Sequence, residues 1–273
     1  MSSILTNTSA MVALQNLKSI NMDLSKTQNE ISTGKSISSA SDNASMWAIS
    51  KVMESDVAGF SAISKSLALG ESTVAVAAAG ADKIVEILKE MKEKIVTATG
   101  ENVDHAKITA DVKSLSDQIT SIIGAAQFNG KNLLDTAGGD MKVLSSLDRT
   151  SAAVTATSIT VKSVDFTVTL DMTTVDVADS TKANDSLIVV EALIKTAIEG
   201  AAALGSSKGH IEDQQKFISK LVDAMKSGIG VLVDANMEEA SARLQALQVQ
   251  QQLGTQSLSI ANKAPQMILQ LFK

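Results

Sequence analysis

Residues 250–273 read QQQLGTQSLSIANKAPQMILQLFK, and this final stretch contains only two charged side chains, Lys263 and Lys273. Its apolar residues recur at the three- and four-residue spacing of a helix, and they fall on more than one side of it. A helix that is apolar on several sides is stable only when other protein buries it. The sequence therefore predicts a terminal helix that is covered by further protein.

Two seams with the heptad spacing of a coiled coil lie at opposite ends of the chain. The first seam consists of Leu14, Leu17, Leu24 and Ile31, with the polar residues Asn21 and Gln28 at the steps between them. The second seam consists of Leu244, Leu247, Leu258, Ala261 and Ile268, with Gln251, Gly254 and Pro265 at the remaining steps. The two ends are therefore expected to form helices that pair along these seams.

Further apolar residues lie outside both seams, so each end offers a second apolar face. These residues are Met11, Val12, Ile20 and Met22 at one end, and Val249, Leu253, Ile260 and Met267 at the other. Because the chain has no further material to bury this face, we expect copies of the same chain to cover it. The candidate residues of this assembly interface are Leu5, Leu14, Leu17, Leu24, Ile31, Leu244, Leu247, Leu258, Ile268, Leu269 and Phe272.

The free energy of burial suggests when the two ends become ordered. Full burial of one Leu or Ile side chain stabilises by about 1.5–3 kcal/mol. Fixing the backbone of one residue costs roughly 1–2 kcal/mol. Since a lone subunit covers only one face of each end, we expect ends that are disordered in the isolated subunit and helical in the assembly. The alternative is an ordinary helical bundle with frayed ends.

Charge is distributed in two regimes that match this interpretation. Residues 1–40 contain five charged side chains and residues 236–273 contain five, whereas residues 81–120 contain fourteen. Charged side chains normally cover the solvent face of a helix. The interior helices therefore have a solvent-facing side, and the two ends largely lack one.

Composition argues against several classes of function. The net charge is −6 and no Lys/Arg run occurs, which argues against nucleic-acid binding. No apolar run approaches the ~18 residues of a membrane-spanning helix, and the first residues do not resemble a secretory signal peptide. Without cysteine, and with His105 and His210 as the only histidines, both expected on the surface, we predict no metal site and no cofactor. No catalytic constellation appears, so no enzymatic activity is expected.

The interior favours long helices interrupted once by strands. Ser39, Ser41 and Asp42 are candidates to cap the second helix, which should end near Gly100, and a third helix should end near Gly124. From residue 141 to about 182 the helical period disappears. Two or three short strands are predicted there, because apolar and polar residues alternate through Ile159, Val161, Phe166, Val168, Leu170 and Met172. Helix is expected to return near residue 186. The expected fold is mainly α, a long antiparallel helical bundle or coiled coil formed by the terminal segments, with a small β insertion.

Several quoted stretches resemble the bacterial flagellins, the subunits of the flagellar filament. At the N-terminal end these are SILTNTSAMVALQNL (3–17) and ISTGKSISSASDNASMWAIS (31–50), and AAQFNGKNLL (125–134) forms a second block. At the C-terminal end the stretch is ANMEEASARLQALQVQQQLGTQSLSIANKAPQMILQLFK (235–273). The resemblance covers roughly residues 1–135 and 186–273. The quoted motifs are most similar to those of short flagellins from alphaproteobacteria.

The resemblance implies an organisation and a function for this chain. Residues 1–42 and 234–273 would form an inner coiled-coil domain, and residues 43–233 would form a helical rod domain that includes the β insertion at about 141–182. The chain would be an extracellular structural subunit that polymerises with its own copies into the propeller used for swimming. It would be exported by the flagellar type III apparatus without a cleaved signal peptide, and its other partners would be the hook–filament junction protein, the filament cap and an export chaperone.

Two alternative functions remain open at this point. The hook–filament junction protein has flagellin-like ends, although its end motifs are normally weaker than those quoted above. A surface adhesin or polysaccharide-binding module could use the β insertion to bind its ligand.

Overall fold

The computed structural model describes residues 7–149 and 153–271, and it describes side chains as far as residue 263. The chain divides into two compact units. Unit 1 contains the described residues up to Val57 together with those from Ala224 onward, and unit 2 runs from Ala58 to Asp223. The fold class predicted from the sequence is confirmed, since helices dominate the described residues and strands occur only in two small antiparallel sheets.

The long helices and the β hairpin follow the order expected from the sequence, and a short strand pair before the hairpin and two short helical segments after it are additional. The helices are α1 (Thr8–Thr33), α2 (Ala44–Ala98), α3 (His105–Ala125), α4 (Phe166–Thr169), α5 (Ser180–Val233) and α6 (Met237–Leu271), with a 3₁₀ turn at Met172–Thr174. The strands are β1 (Gln127–Phe128), β2 (Lys131–Asn132), β3 (Met141–Arg149) and β4 (Val154–Val161). Helix α6 continues through Pro265.

Asparagine side chains begin three of these helices. The Asn7 Oδ1 accepts a hydrogen bond from the Ala10 amide at 3.0 Å, and the Asn43 Oδ1 accepts one from the Met46 amide at 3.1 Å. Asn236 serves α6 in the same way, accepting from the Glu238 amide at 3.2 Å. These acceptors satisfy amides that lack a partner within the helix. The prediction that Ser39, Ser41 or Asp42 caps α2 was therefore wrong, because the cap is the next residue, Asn43.

The β insertion differs from the sequence prediction in its extent. Strand β3 pairs with β4 as an antiparallel hairpin that starts at Met141, and a bulge interrupts the register between Leu144 and Ser146. Strand β3 extends to Arg149 and β4 begins at Val154, so the Ser/Thr-rich residues 154–158 belong to the hairpin. The hairpin ends at Val161, so the alternation beyond it is not a strand.

Aspartate caps explain why the alternating stretch after Val161 folds into helical turns. The Asp165 Oδ1 accepts hydrogen bonds from the amides of Thr167 at 3.1 Å and Val168 at 3.2 Å, and this begins α4. The Asp171 carboxylate caps the 3₁₀ turn in the same way. The Asp179 Oδ1 accepts from the Lys182 amide at 2.8 Å, which starts α5 at Ser180 rather than near residue 186.

Helix glycines let the β hairpin and its neighbours approach α2 and α5 closely in unit 2. A Cβ atom at Gly70 would lie 2.6 Å from Cγ2 of Val143, and one at Gly200 would lie 2.6 Å from Cγ1 of Val164. Both distances are shorter than van der Waals contact. The core that these contacts close is mainly aliphatic, with one fully buried aromatic ring among the described residues, Phe166. Its other fully buried side chains include Leu67, Ile84, Leu88, Met91, Ile95, Leu204, Ile211 and Ile218.

Candidate assembly surface on the terminal helix pair

Helices α1 and α6 pack side by side and run in opposite directions within unit 1. Near the start of α1, Nδ2 of Asn7 donates a hydrogen bond to the carbonyl of Ala261 at 2.8 Å. In the middle of the pair, Nε2 of Gln251 donates to Oδ1 of Asn21 at 2.7 Å. Residue numbers therefore increase along α1 while those of the contacting residues on α6 decrease, so the pair is antiparallel.

The α6 side of the pair lies where the heptad spacing predicts it. Leu247 is buried, and the other seam positions of the described region are half-buried: Leu244, Gln251, Gly254, Leu258 and Ala261. A Cβ atom at Gly254 would lie 3.1 Å from Cδ1 of Leu17 and 3.8 Å from Cδ1 of Ile20. The missing side chain at Gly254 therefore makes room for two large residues of α1.

On α1, every second position of the observed seam lies one residue before the position that the heptad spacing predicts. Leu17, Leu24 and Ile31 are half-buried as predicted, but Leu14 is 57% exposed and Asn21 and Gln28 are exposed. The positions next to α6 are Ala13, Ile20 and Thr27 instead. Both sets repeat every seven residues. The observed set buries apolar Ile20 and leaves Gln28 exposed, while the exposed Asn21 accepts the hydrogen bond from Gln251 at the edge of the pair. The assignment of Leu14 to the intramolecular seam was therefore wrong.

The sides of α1 and α6 that face away from each other expose large apolar side chains. At 100° per residue, Met11 and Met22 lie opposite the α1 seam, and Val249, Leu253 and Ile260 lie opposite the α6 seam. All five are more than half exposed, including Leu253 at 62%. We call these five residues the outer faces of the pair. Exposed large apolar side chains gathered on one element in this way point to a site of protein interaction.

Four of the candidate interface residues cannot be placed by side-chain geometry. Leu5 and Phe272 lie outside the described residues, and Ile268 and Leu269 belong to the part of α6 whose side chains are not described. The remaining seven lie on the pair, where Leu14 is exposed and the other six line the seam between α1 and α6.

A short backbone bridge joins the two linkers that lead out of the pair. Lys35 and Asp234 form an isolated antiparallel β-bridge. The Ser36 amide donates to the carbonyl of Val233 at 2.7 Å, and the Ala235 amide donates to the carbonyl of Gly34 at 2.9 Å. Gly34 ends α1 with φ of 68°, a left-handed conformation that favours glycine. No sequence pattern indicates this bridge, because its two sides lie about 200 residues apart in the chain and meet through main-chain groups.

A polar cleft of about 610 Å³ lies beside this bridge, between the end of α1 and the turn that precedes α2. Asp42, one of its two acidic lining residues, accepts hydrogen bonds from the amides of Ser39 at 2.9 Å and Ser38 at 3.0 Å, and from both hydroxyls. These bonds, those of Ser39 first, hold the pKa of Asp42 below its ordinary value. The nearby Glu54 also has a lowered pKa, chiefly because Lys51 donates a hydrogen bond to it. Both carboxylates are thereby kept ionised as parts of local structure.

The two histidines occupy different environments. His210 is exposed on α5, as predicted. His105 is half-buried, and its Nδ1 lies 3.2 Å from the carbonyl oxygen of Val177, so its prediction as a solvated surface residue was wrong. In the part of the chain that the structure describes, no group of His, Cys, Asp and Glu side chains is placed to hold a metal ion. Within the same residues, no helix is both long and apolar enough to cross a lipid bilayer.

Comparison with known protein families accounts for both ends of the chain. Residues 4–138 match the family model described as the bacterial flagellin N-terminal helical region, and residues 187–272 match the bacterial flagellin C-terminal helical region. The chain belongs to the bacterial flagellin family. Members of this family are structural subunits of the extracellular flagellar filament, and that is the function of this chain.

Flagellins of alphaproteobacteria resemble the chain along its whole length. A flagellin of Brucella melitensis is 44% identical over 281 residues, and the alignment covers 100% of both proteins. Flagellin FljM of Caulobacter vibrioides is 38% identical over 276 residues, with 100% of this chain and 99% of the relative covered. The resemblance to this group that the quoted motifs suggested is therefore confirmed.

Two solved structures share the fold of this flagellin-family chain. Bacillus cereus flagellin aligns with a TM-score of 0.50 at 21% identity, covering 56% of this chain and 88% of that one. A putative flagellar hook-associated protein from Vibrio parahaemolyticus aligns with a TM-score of 0.54 at 14% identity, covering 70% and 99%. At these identities the likeness concerns the fold alone.

Proposed function

We propose that this flagellin-family chain polymerises through the outer faces of the α1–α6 pair, so that neighbouring copies cover Met11, Met22, Val249, Leu253 and Ile260. One observation carries the proposal: these five large apolar side chains lie opposite the seam of the pair and are more than half exposed. Burial of each would contribute about 1.5–3 kcal/mol to association.

The proposal includes the functional division expected from the sequence. Residues 1–42 and 234–273 act as the inner, polymer-forming domain, and residues 43–233 act as the surrounding domain with the insertion at 141–182. The bridge between Lys35 and Asp234 supports this division, because it closes the base of the α1–α6 pair at those boundaries. The compact units divide at different residues, within α2 and α5, because those helices continue past the bridge.

Neither alternative function is favoured. The relatives that align over the whole chain are flagellins, and the hook-associated neighbour shares only the fold. A surface adhesin or polysaccharide-binding module would use the β insertion, whereas these full-length relatives are named as flagellins. The proposal therefore keeps polymerisation as the role of the pair.

A charge placed on an outer face tests the proposal. Leu253→Asp would put a carboxylate where a neighbouring copy is expected, and we predict that the critical concentration for polymerisation rises at least about tenfold. The matched control is Gln248→Asp, which adds the same charge at an exposed site about 140° around α6. Sedimentation and electron microscopy of purified subunits measure the result. Filaments of Leu253→Asp at the wild-type concentration would refute the assignment.

Export and accessory partners form a separate part of the proposal, supported by family membership. The chain is expected to leave the cell through the flagellar type III apparatus without a cleaved signal peptide, and to contact an export chaperone, the hook–filament junction protein and the filament cap. Intact-mass measurement on isolated filaments tests the first expectation. A mature protein that has lost an N-terminal peptide would contradict it.

A further inference from the structure

Two methionines lie on the outer face of α1. Met11 is 65% exposed and Met22 is 59% exposed. They are 11 residues apart, which places them about three turns and roughly 16 Å apart on one side of the helix. That side is opposite the seam formed by Leu17 and Ile20. Met11 and Met22 are therefore the large apolar side chains of this face, which they share with polar residues such as Gln15 and Lys18.

Thioethers differ from the aliphatic residues of the same pair in one chemical respect. The sulfur of methionine reacts with a peroxide, while Leu, Ile and Val do not. The sulfur lone pair attacks one peroxide oxygen, the O–O bond breaks, and the other oxygen leaves as water after proton transfer. Sulfur is oxidised to the sulfoxide and the peroxide is reduced. The product is polar, and it disrupts surfaces that rely on methionine for apolar contact.

The other described methionines are less accessible than these two. Met91 is fully buried in unit 2, and Met237 at the start of α6 is 43% exposed. The rest are half-buried: Met46, Met53, Met141, Met172 and Met225. Exposure therefore directs a peroxide first to Met11 and Met22 among the methionines whose side chains are described.

We propose that Met11 and Met22 are oxidation sites through which peroxide controls polymerisation of this chain. The inference rests on the proposed function, because it needs the outer face of α1 to be buried by a neighbouring copy. A free subunit presents both sulfurs to the oxidant, whereas a polymerised subunit shields them. Oxidation before assembly therefore blocks a subunit, oxidation after assembly is slow, and reduction of the sulfoxides by methionine sulfoxide reductases restores the subunit.

The test compares the wild-type chain with the double variant Met11→Leu/Met22→Leu. Leucine keeps the apolar surface and the helix propensity but cannot form a sulfoxide. Both proteins are treated as dilute subunits with hydrogen peroxide until mass spectrometry of peptides shows that Met11 and Met22 of the wild type are oxidised. The peroxide is then removed and polymerisation is followed by light scattering. The melting of unit 2 is recorded for every sample to confirm that it remains folded.

We expect treatment to raise the critical concentration of the wild type at least about tenfold, and to leave that of the double variant within about twofold of its untreated value. Reductase treatment of the oxidised wild type should restore polymerisation. Equal loss of polymerisation in the treated double variant would overturn the inference, because the damage would then lie at other residues. Normal polymerisation of fully oxidised wild type would also overturn it.

A second variant separates this inference from the proposed function. Met11→Gln/Met22→Gln introduces polar side chains of similar length without any oxidant, and we expect it to polymerise as poorly as the oxidised wild type. Normal polymerisation of this variant would show that the outer face of α1 is not an interface, and both proposals would fail for α1. If the glutamine variant fails to polymerise and peroxide still blocks polymerisation of the leucine variant, only the oxidation inference is overturned.

Discussion

Gly70 in α2 and Gly205 in α5 both lie inside long helices, but their surroundings differ. The space that a Cβ atom would need at Gly70 is occupied by Val143, with Cγ2 at 2.6 Å and Cγ1 at 2.8 Å. Around Gly205 no atom beyond the adjacent residues and the backbone of its own helix lies within 4 Å of that position. The first glycine is therefore required by close packing of the β hairpin against α2, whereas contacts within the described subunit place no such requirement on the second.

Alanine at the two positions is predicted to change stability in opposite directions. Gly70→Ala should lower the free energy of unfolding by about 1–3 kcal/mol, because the added methyl group must displace the Val143 side chain. Gly205→Ala should raise it by about 0.5–1 kcal/mol, because alanine loses less backbone entropy on folding into a helix. Urea unfolding of dilute subunits measures both. If Gly205→Ala lowered the free energy of unfolding instead, the added methyl group would have to meet other atoms, and the prediction would be wrong.

At the scale of elements, the α1–α6 pair depends on which residues form its seam. Leu247 is 8% exposed and is the most deeply buried of the α6 seam residues whose side chains are described. It differs from Leu253 on the same helix, which faces away from α1. The two leucines therefore serve different contacts: one holds the pair together, and the other is proposed to meet a neighbouring copy.

A carboxylate in the seam is predicted to prevent assembly without affecting unit 2. Leu247→Asp buries an unpaired charge whenever α1 and α6 pack, and this penalty should raise the critical concentration at least about tenfold. The melting temperature of unit 2, measured by calorimetry, should stay unchanged, since none of its residues belongs to the seam. The exposed site Gln248 again supplies the matched aspartate control. Filaments from Leu247→Asp would show that the seam is not needed in the polymer.

The elements differ in how far the sequence could predict them. Helix α6 and its seam can be predicted from the heptad spacing, since the positions that this spacing selects on the helix are those that lie against α1. On α1 the sets containing Leu14 and Ile20 have the same period, and only the position of the partner helix decides between them. After Val161 the alternation suggested strands, but caps from Asp165 and Asp171 stabilise helical turns instead. Periodicity thus predicts long elements well, while single hydrogen bonds decide the short ones.

At the scale of the whole molecule, the candidate surface is formed by segments from both ends of the chain. The resemblance to flagellins identified those ends, and the apolar excess in each predicted an assembly role. The backbone bridge between Lys35 and Asp234 could not be predicted, because it joins two linkers through main-chain groups that any residue carries. The sequence therefore predicts which segments form the candidate surface. How these segments are held together is shown only by the fold.

Hydrogen exchange is predicted to distinguish the free subunit from the polymer. In dilute subunits the amides of residues 10–31 and 240–261 should exchange rapidly, because only one face of each helix is covered. In filaments the same amides should be protected by at least about a hundredfold, while the α2 core around Ile84 and Leu88 is protected in both states. Strong protection of both terminal segments in subunits too dilute to associate would contradict the proposed dependence on neighbours.

The antiparallel pairing of α1 with α6 also has a consequence for protein synthesis. Asn7 and its partner Ala261 are separated by 254 positions, so the first helix leaves the ribosome long before its partner exists. A chain that ends at a premature stop codon in α5 or earlier never acquires α6, and its α1 remains without the seam that orders it. Such a fragment lacks half of the surface needed to join a filament. The fold itself thereby screens out unfinished copies before they can be incorporated.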